Sequence, residues 1–95
     1  MSNEFKSIRE ALLGLLKKYN LESIIEYDEL LSNLETIVGK EIASQIKVKE
    51  LKDGDLIIEV ESAAWKNEIS MLREEIREKI NSHFKKEIIK QIRIY

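Results

Sequence analysis

Apolar positions along the chain follow two periods, and the switches between them lay out the elements. Phe5, Ile8, Leu12, Leu15, Leu16 and Tyr19 recur at helical spacing and draw one stripe along a predicted helix of about Asn3–Tyr19. Ser2 or Asn3 can cap it, and Asn20 ends it. Leu21–Tyr27 adds a short helical turn. A second helix is predicted over about Glu29–Ser44, burying Leu30, Leu34, Ile37, Val38 and Ile42, with Ile46 at its edge. Ser32 and Glu35 have capping-box spacing, which offers Asn33 as an alternative start. Gly39 falls inside this pattern, where an interior glycine costs about 1 kcal/mol relative to alanine. Close approach of another backbone would offset that cost. A break between two short helices is the other reading.

The period then changes. Lys47–Lys52 and Asp55–Glu61 flank Asp53-Gly54, a strong hairpin signal because glycine takes positive φ without steric cost. Leu56, Ile58 and Val60 alternate with Ile57, Glu59 and Glu61, the pattern of a half-buried strand. Ser62 caps a third helix over about Ala63–Phe84, whose Trp65, Ile69, Leu72, Ile76, Ile80 and Phe84 form one continuous face. Ile88–Tyr95 reads as a last strand with Ile92 and Ile94 inward. The order is α-α-β-β-α-β. The fold class is α+β, a three-stranded mixed sheet covered by helices on the one face with enough apolar residues to bury. If the second and third strands run parallel, the helix between them is a right-handed crossover.

At 95 residues the chain is expected to form a single domain, 1–95, without tail or linker. It has no Cys and no Pro, so disulfide and thiolate chemistry are excluded. No apolar run approaches the length of a membrane span, and MSNEFKSIRE lacks the pattern of a signal peptide. The expected location is the cytoplasm.

Net charge is −2, which argues against a surface built wholly to grip nucleic acid. The distribution is uneven. Met1–Gly39 carries Lys6, Arg9, Lys17 and Lys18 against seven acidic residues, a net −3. Lys85–Tyr95 carries Lys85, Lys86, Lys90 and Arg93 against Glu87, a net +3. With Lys47, Lys49 and Lys52 these form two basic sets that would merge into one phosphate-binding stripe if their strands were neighbours. Aromatic side chains for base stacking are few, so weak, salt-sensitive, sequence-indifferent binding is the most they support. The competing reading is that the lysines keep a strand edge soluble.

Catalytic machinery is hard to assemble from this composition. A nucleophile needs an activating base, and the single histidine, His83, stands near a helix C-terminus, partly exposed. There is no G-x-x-x-x-G-K-[ST] segment for nucleotide phosphates and no metal-ligand spacing. Neither a cofactor nor a small-molecule substrate is expected. Trp65 lies in phase with Ile69 and Leu72, so it reads first as a core anchor; the alternative is an exposed anchor for a partner protein.

Four segments, however, resemble a known family. They are I-V-G-x-x-I-A at Ile37–Ala43, D-G-x-L at Asp53–Leu56, S-A-A-W-x-x-E-I at Ser62–Ile69 and I-R-I at Ile92–Ile94. Together they are similar to the bacterial DciA family, over about Leu34–Tyr95. Where the family pattern carries a tryptophan ahead of the I-V-G segment, this chain carries Leu34 and no aromatic. The resemblance implies a KH-like fold, here without a G-x-x-G loop among Gly14, Gly39 and Gly54. It implies a non-enzymatic adaptor of DNA replication that binds the replicative helicase DnaB and helps to load it on single-stranded DNA. It also gives Val38, Gly39, Asp53, Gly54, Ser62 and Trp65 as motif residues. The alternative function is a stand-alone, weak RNA- or single-stranded-DNA-binding module using the two basic sets.

Overall fold

Alternation of large aliphatic residues makes the middle strand of the sheet the seat of the core. The structure is a computed structural model. It describes residues 2–18 and 22–95, with side chains for 7–15 and 22–95. Strands β1 (Lys47–Lys52) and β2 (Asp55–Glu59) pair antiparallel around Asp53-Gly54. Both turn residues have positive φ, 52° and 85°, as a two-residue type I′ connection requires. Strand β3 (Gln91–Ile94) joins the other edge of β2 in parallel, so the order is β1-β2-β3. Val48 and Leu51 of β1, and Ile92 and Ile94 of β3, stand opposite Ile58 and Leu56. An irregularity between Val48 and Glu50 inserts one residue into β1. Without it, Val48 and Leu51, three apart, would face opposite sides of the sheet.

Helices α2 (Glu22–Val38), α3 (Lys40–Gln45), α4 (Ala63–Met71) and α5 (Arg73–Phe84) complete the body, and α1 covers Ser2–Lys18. The core comprises Leu30, Val38, Leu56, Ile58, Val60, Ile69, Ile76, Ile80, Ile89 and Ile92. Among the described residues no helix is long and apolar enough to cross a membrane.

The expected α-α-β-β-α-β order holds, but boundaries move. α2 starts at Glu22, so Leu21–Tyr27 is no separate turn and Ser32 is a mid-helix residue rather than a cap. Gly39 ends α2 instead of lying inside it. Its φ of 94° takes it out of the helical region, and nothing stands within 4 Å of where a Cβ would be. No close backbone approach exists there, and the break between two helices is what forms. The long third helix is divided at Leu72, whose ψ of 6° interrupts it. Ser70 Oγ donates to the Lys66 carbonyl at 2.7 Å, the kind of i−4 back-bond that bends helices. The buried face nevertheless runs on through Ile69, Ile76 and Ile80. Asn20 and Leu21, and the side chains of Ser2, Asn3, Phe5, Leu16 and Tyr19, lie outside the described residues.

β3 is shorter than the predicted Ile88–Tyr95, because Asn81 claims the backbone before it. Asn81 Oδ1 accepts from the Ile88 and Ile89 amides at 3.0 and 2.9 Å, and its Nδ2 donates to the Ile89 carbonyl at 2.9 Å. This side chain satisfies three polar groups that a ladder would otherwise pair. It also sets Ile89 fully into the core. The following amides of Lys90 and Gln91 both donate to the Gly54 carbonyl, at 2.7 and 3.2 Å.

Two substitutions check these joints. Asn81→Ala removes the partner of the Ile89 amide and carbonyl, while the Ile88 amide keeps the Lys86 carbonyl, and should cost about 2–3 kcal/mol. Gly54→Ala forces a side chain into a left-handed conformation, at about 1–2 kcal/mol, and sets its Cβ 2.7 Å from Lys90 Cγ. Urea unfolding should show lower midpoints for both, and an unchanged midpoint for Asn81→Ala would refute its role.

Candidate partner-binding groove

The break at Gly39 determines where α3 goes. Gly39 N donates to the Glu35 carbonyl at 2.9 Å, and Ala43 N donates to the Gly39 carbonyl at 3.0 Å, so the chain turns without losing helical bonding on either side. Ile42 thereby comes beside the start of α4. There Ser62 Oγ accepts from the Trp65 amide at 3.2 Å and fixes the first turn. Between α3 and α4 lies an open, mainly apolar groove of 420 Å³, lined by Glu41, Ile42, Ala64, Trp65, Glu68 and Leu72. A second hollow adjoins it through Glu41 and Ile42 and extends to Val38, Gly39, Lys40 and Ser44. The bare backbone at Gly39 leaves that end unobstructed.

Trp65 lies between the core and the surface. It is half-buried and packs against the core cluster, and it also forms a wall of the groove. Ala63 and Ala64 are exposed, so the helix start presents little bulk. Glu41 and Glu68 place two exposed carboxylates on the rim. An apolar side chain flanked by Lys or Arg would fit this combination. The groove offers no nucleophile–base pair. Among the described residues, no group of three or more His, Cys, Asp or Glu could hold a metal ion.

The basic residues are arranged less favourably than a phosphate stripe requires. β2 separates β1 from β3, so the two sets are not on neighbouring strands. β2 also places acidic residues between them. Lys49 Nζ is 3.3 Å from Glu59, and Arg93 Nη2 is 3.4 Å from Asp55. Asp55 additionally accepts from Gln91 Nε2 at 2.7 Å. By register Lys47 stands opposite Glu59 and Lys52 opposite Asp55. Lys86 reaches back to α2, 3.0 Å from Glu26 Oε2. That oxygen is shut off from solvent, and the paired Lys86 ammonium is what offsets its burial. A hydrogen bond to Glu26, then Coulomb attraction, holds the Lys86 ammonium above its usual range. A raised cation stabilises the fold below its unfolded value, so this contribution persists through neutral pH and fades only in strong alkali. Lys85 occupies the left-handed cap of α5 with φ 57°, and the Lys90 side chain lies over Gly54. His83 Nε2 is 3.6 Å from Glu29 Oε1.

The sequence profile of the family described as "Dna[CI] antecedent, DciA" matches residues 7–94. The chain belongs to the DciA family. It is also 34% identical over 64 residues to a protein of Corynebacterium glutamicum (strain R) named UPF0232 protein. That match takes in 67% of this chain and 36% of the relative, so the chain spans little more than a third of the relative's length. The fold gathers the DciA-like segments unevenly. Val38, Gly39 and Ile42 from the first meet Ala64, Trp65 and Glu68 from the third around the groove. Asp53 and Gly54 instead form the hairpin turn beside β3, and Ser62 acts as a cap.

Glu41, Glu68, Ala64 and Leu72 were not marked as site residues by the sequence alone. The available signals were the small pair opening the third helix, the Glu68 of the S-A-A-W-x-x-E-I segment and the place of Leu72 on the apolar face. Stability tests the core contact of Trp65. A fully buried aromatic cut to alanine costs roughly 3–5 kcal/mol, so half-buried Trp65→Ala should lose about 2 kcal/mol while remaining folded. Thermal melting monitored by circular dichroism would reveal this, and an unaltered melting temperature would remove Trp65 from the core.

Proposed function

We propose that this chain is a non-enzymatic adaptor of DNA replication that binds the replicative helicase DnaB through the α3–α4 groove and assists its placement on single-stranded DNA. The observation that carries this reading is the convergence of two DciA-family segments on one open apolar groove. The adaptor needs no catalytic step of its own. It acts by binding one helicase state better than another, and the shift it produces is limited by that difference. Trp65 and Ile42 supply the desolvated centre of the contact. Glu41 and Glu68 favour a basic surround on the helicase.

Native mass spectrometry with the helicase of the same organism tests the partner. A complex is expected at micromolar concentration, and its absence would sink the proposal. Ala64→Arg introduces bulk and the wrong charge on an exposed residue. It should leave the melting temperature unchanged and weaken the complex at least about tenfold, equivalent to roughly 1.4 kcal/mol. Full retention of binding by a folded Ala64→Arg protein moves the interface away from the groove.

The alternative, a stand-alone nucleic-acid-binding module, draws on the exposed Lys47, Lys52 and Lys90. Fluorescence anisotropy with single-stranded oligonucleotides should detect at most weak binding, largely lost between about 50 and 200 mM salt. Tight binding that survives the higher salt would favour this alternative over the adaptor.

A further inference from the structure

We infer that two copies of this chain pair through α1, the apolar stripe of each copy seating along the exposed flank of α2 in the other. Ile8, Leu12 and Leu15 recur at i, i+4 and i+7 on α1 and are 66%, 55% and 49% exposed. Ile24 and Leu31 stand two turns apart on one flank of α2, 60% and 45% exposed, with Ile25 beside them at 53%. α1 cannot rely on its own helicity. A helix of its 17 residues is marginal in water, and Gly14 weakens it further. Packing must supply the remainder.

The chain's own body does not cover the stripe. The radius of gyration is 16.2 Å, against about 12 Å for a compact chain of this length. The longest extent is 57 Å, against 22 and 20 Å across.

Charge identifies the occupant as a second copy. α1 carries Lys6, Arg9, Lys17 and Lys18 against Glu4 and Glu10, a net +2. α2 carries Glu22, Glu26, Asp28, Glu29 and Glu35 with no basic residue, a net −5, of which Glu26 is already engaged by Lys86. Crossing α1 of one copy onto α2 of the other brings these opposite charges together twice, as a two-fold interface does. None of the groove residues takes part, so the pairing is independent of the proposed helicase contact.

Analytical ultracentrifugation of the intact chain should show a reversible monomer–dimer equilibrium at micromolar concentration. Rising salt should weaken it. Leu12→Lys should give monomer at the same loading, with the helical circular dichroism of the body retained. Because the protein has no Cys, single replacements report geometry directly. Oxidising a mixture of Leu12→Cys and Ile24→Cys proteins should yield a covalent heterodimer in excess of either homodimer. Monomer at all concentrations would overturn the inference. So would disulfide formation only within a chain carrying both cysteines, which would mean that α1 folds over its own α2. Preferential Leu12→Cys homodimers would also overturn it, since α1 would then meet α1.

Discussion

The architecture depends on β2 having a strand on each side. It is the central strand of the sheet, and Leu56 and Ile58 from it, with Val60 just beyond, are almost wholly removed from water. Every other element is placed by what those residues require. β1 reaches β2 through a two-residue turn whose left-handed geometry matches strand twist. β3 must arrive parallel, which demands the long crossover through α4 and α5. The Gly54 carbonyl ties both events together, because the turn that starts β2 also receives the amides that start β3.

The proposed contact lies in the parts that this arrangement leaves open. Helices α2, α4 and α5 each place buried residues in the core, Leu30 and Val38, Ile69, and Ile76 and Ile80. α3 is short, contributes no fully buried residue and runs beside the capped start of α4. The gap between α3 and α4 is apolar because Ile42, Trp65 and Leu72 only partly reach the core, and it stays accessible because Gly39 and Ala64 add little bulk. The sheet's outer face is different. There, acidic residues of β2 stand between the basic residues of both edge strands and engage them, which dilutes any cationic field.

Much of this was legible in the chain. Period-two alternation from Leu56 to Val60, the Asp53-Gly54 turn, the Ser62 cap and the four-and-three spacing from Trp65 to Phe84 are local signals, and each appears as an element or joint. The family segments were legible as well, since they are read residue by residue. Boundaries were less legible where local signals competed. Ser32 and Glu35 have the spacing of a capping box, yet the helix runs through them because Leu30, Leu34 and Val38 must lie along one packed face.

Sequence alone therefore determined the kinds of elements, their order and the side of each that seeks the core, because these depend on spacing and on the allowed φ and ψ of single residues. Tertiary structure decided which strand lies in the middle, and with it that Glu59 and Asp55 of that strand engage Lys49 on one edge and Arg93 on the other. It decided that Asn81, unremarkable in sequence, anchors the approach to β3 through contacts seven and eight residues away. It also decided that Val38, Gly39 and Ile42 share a surface with Ala64 and Trp65. These are distances between groups far apart in the chain. They arise only when burial of one sheet face forces the helices that carry them into contact.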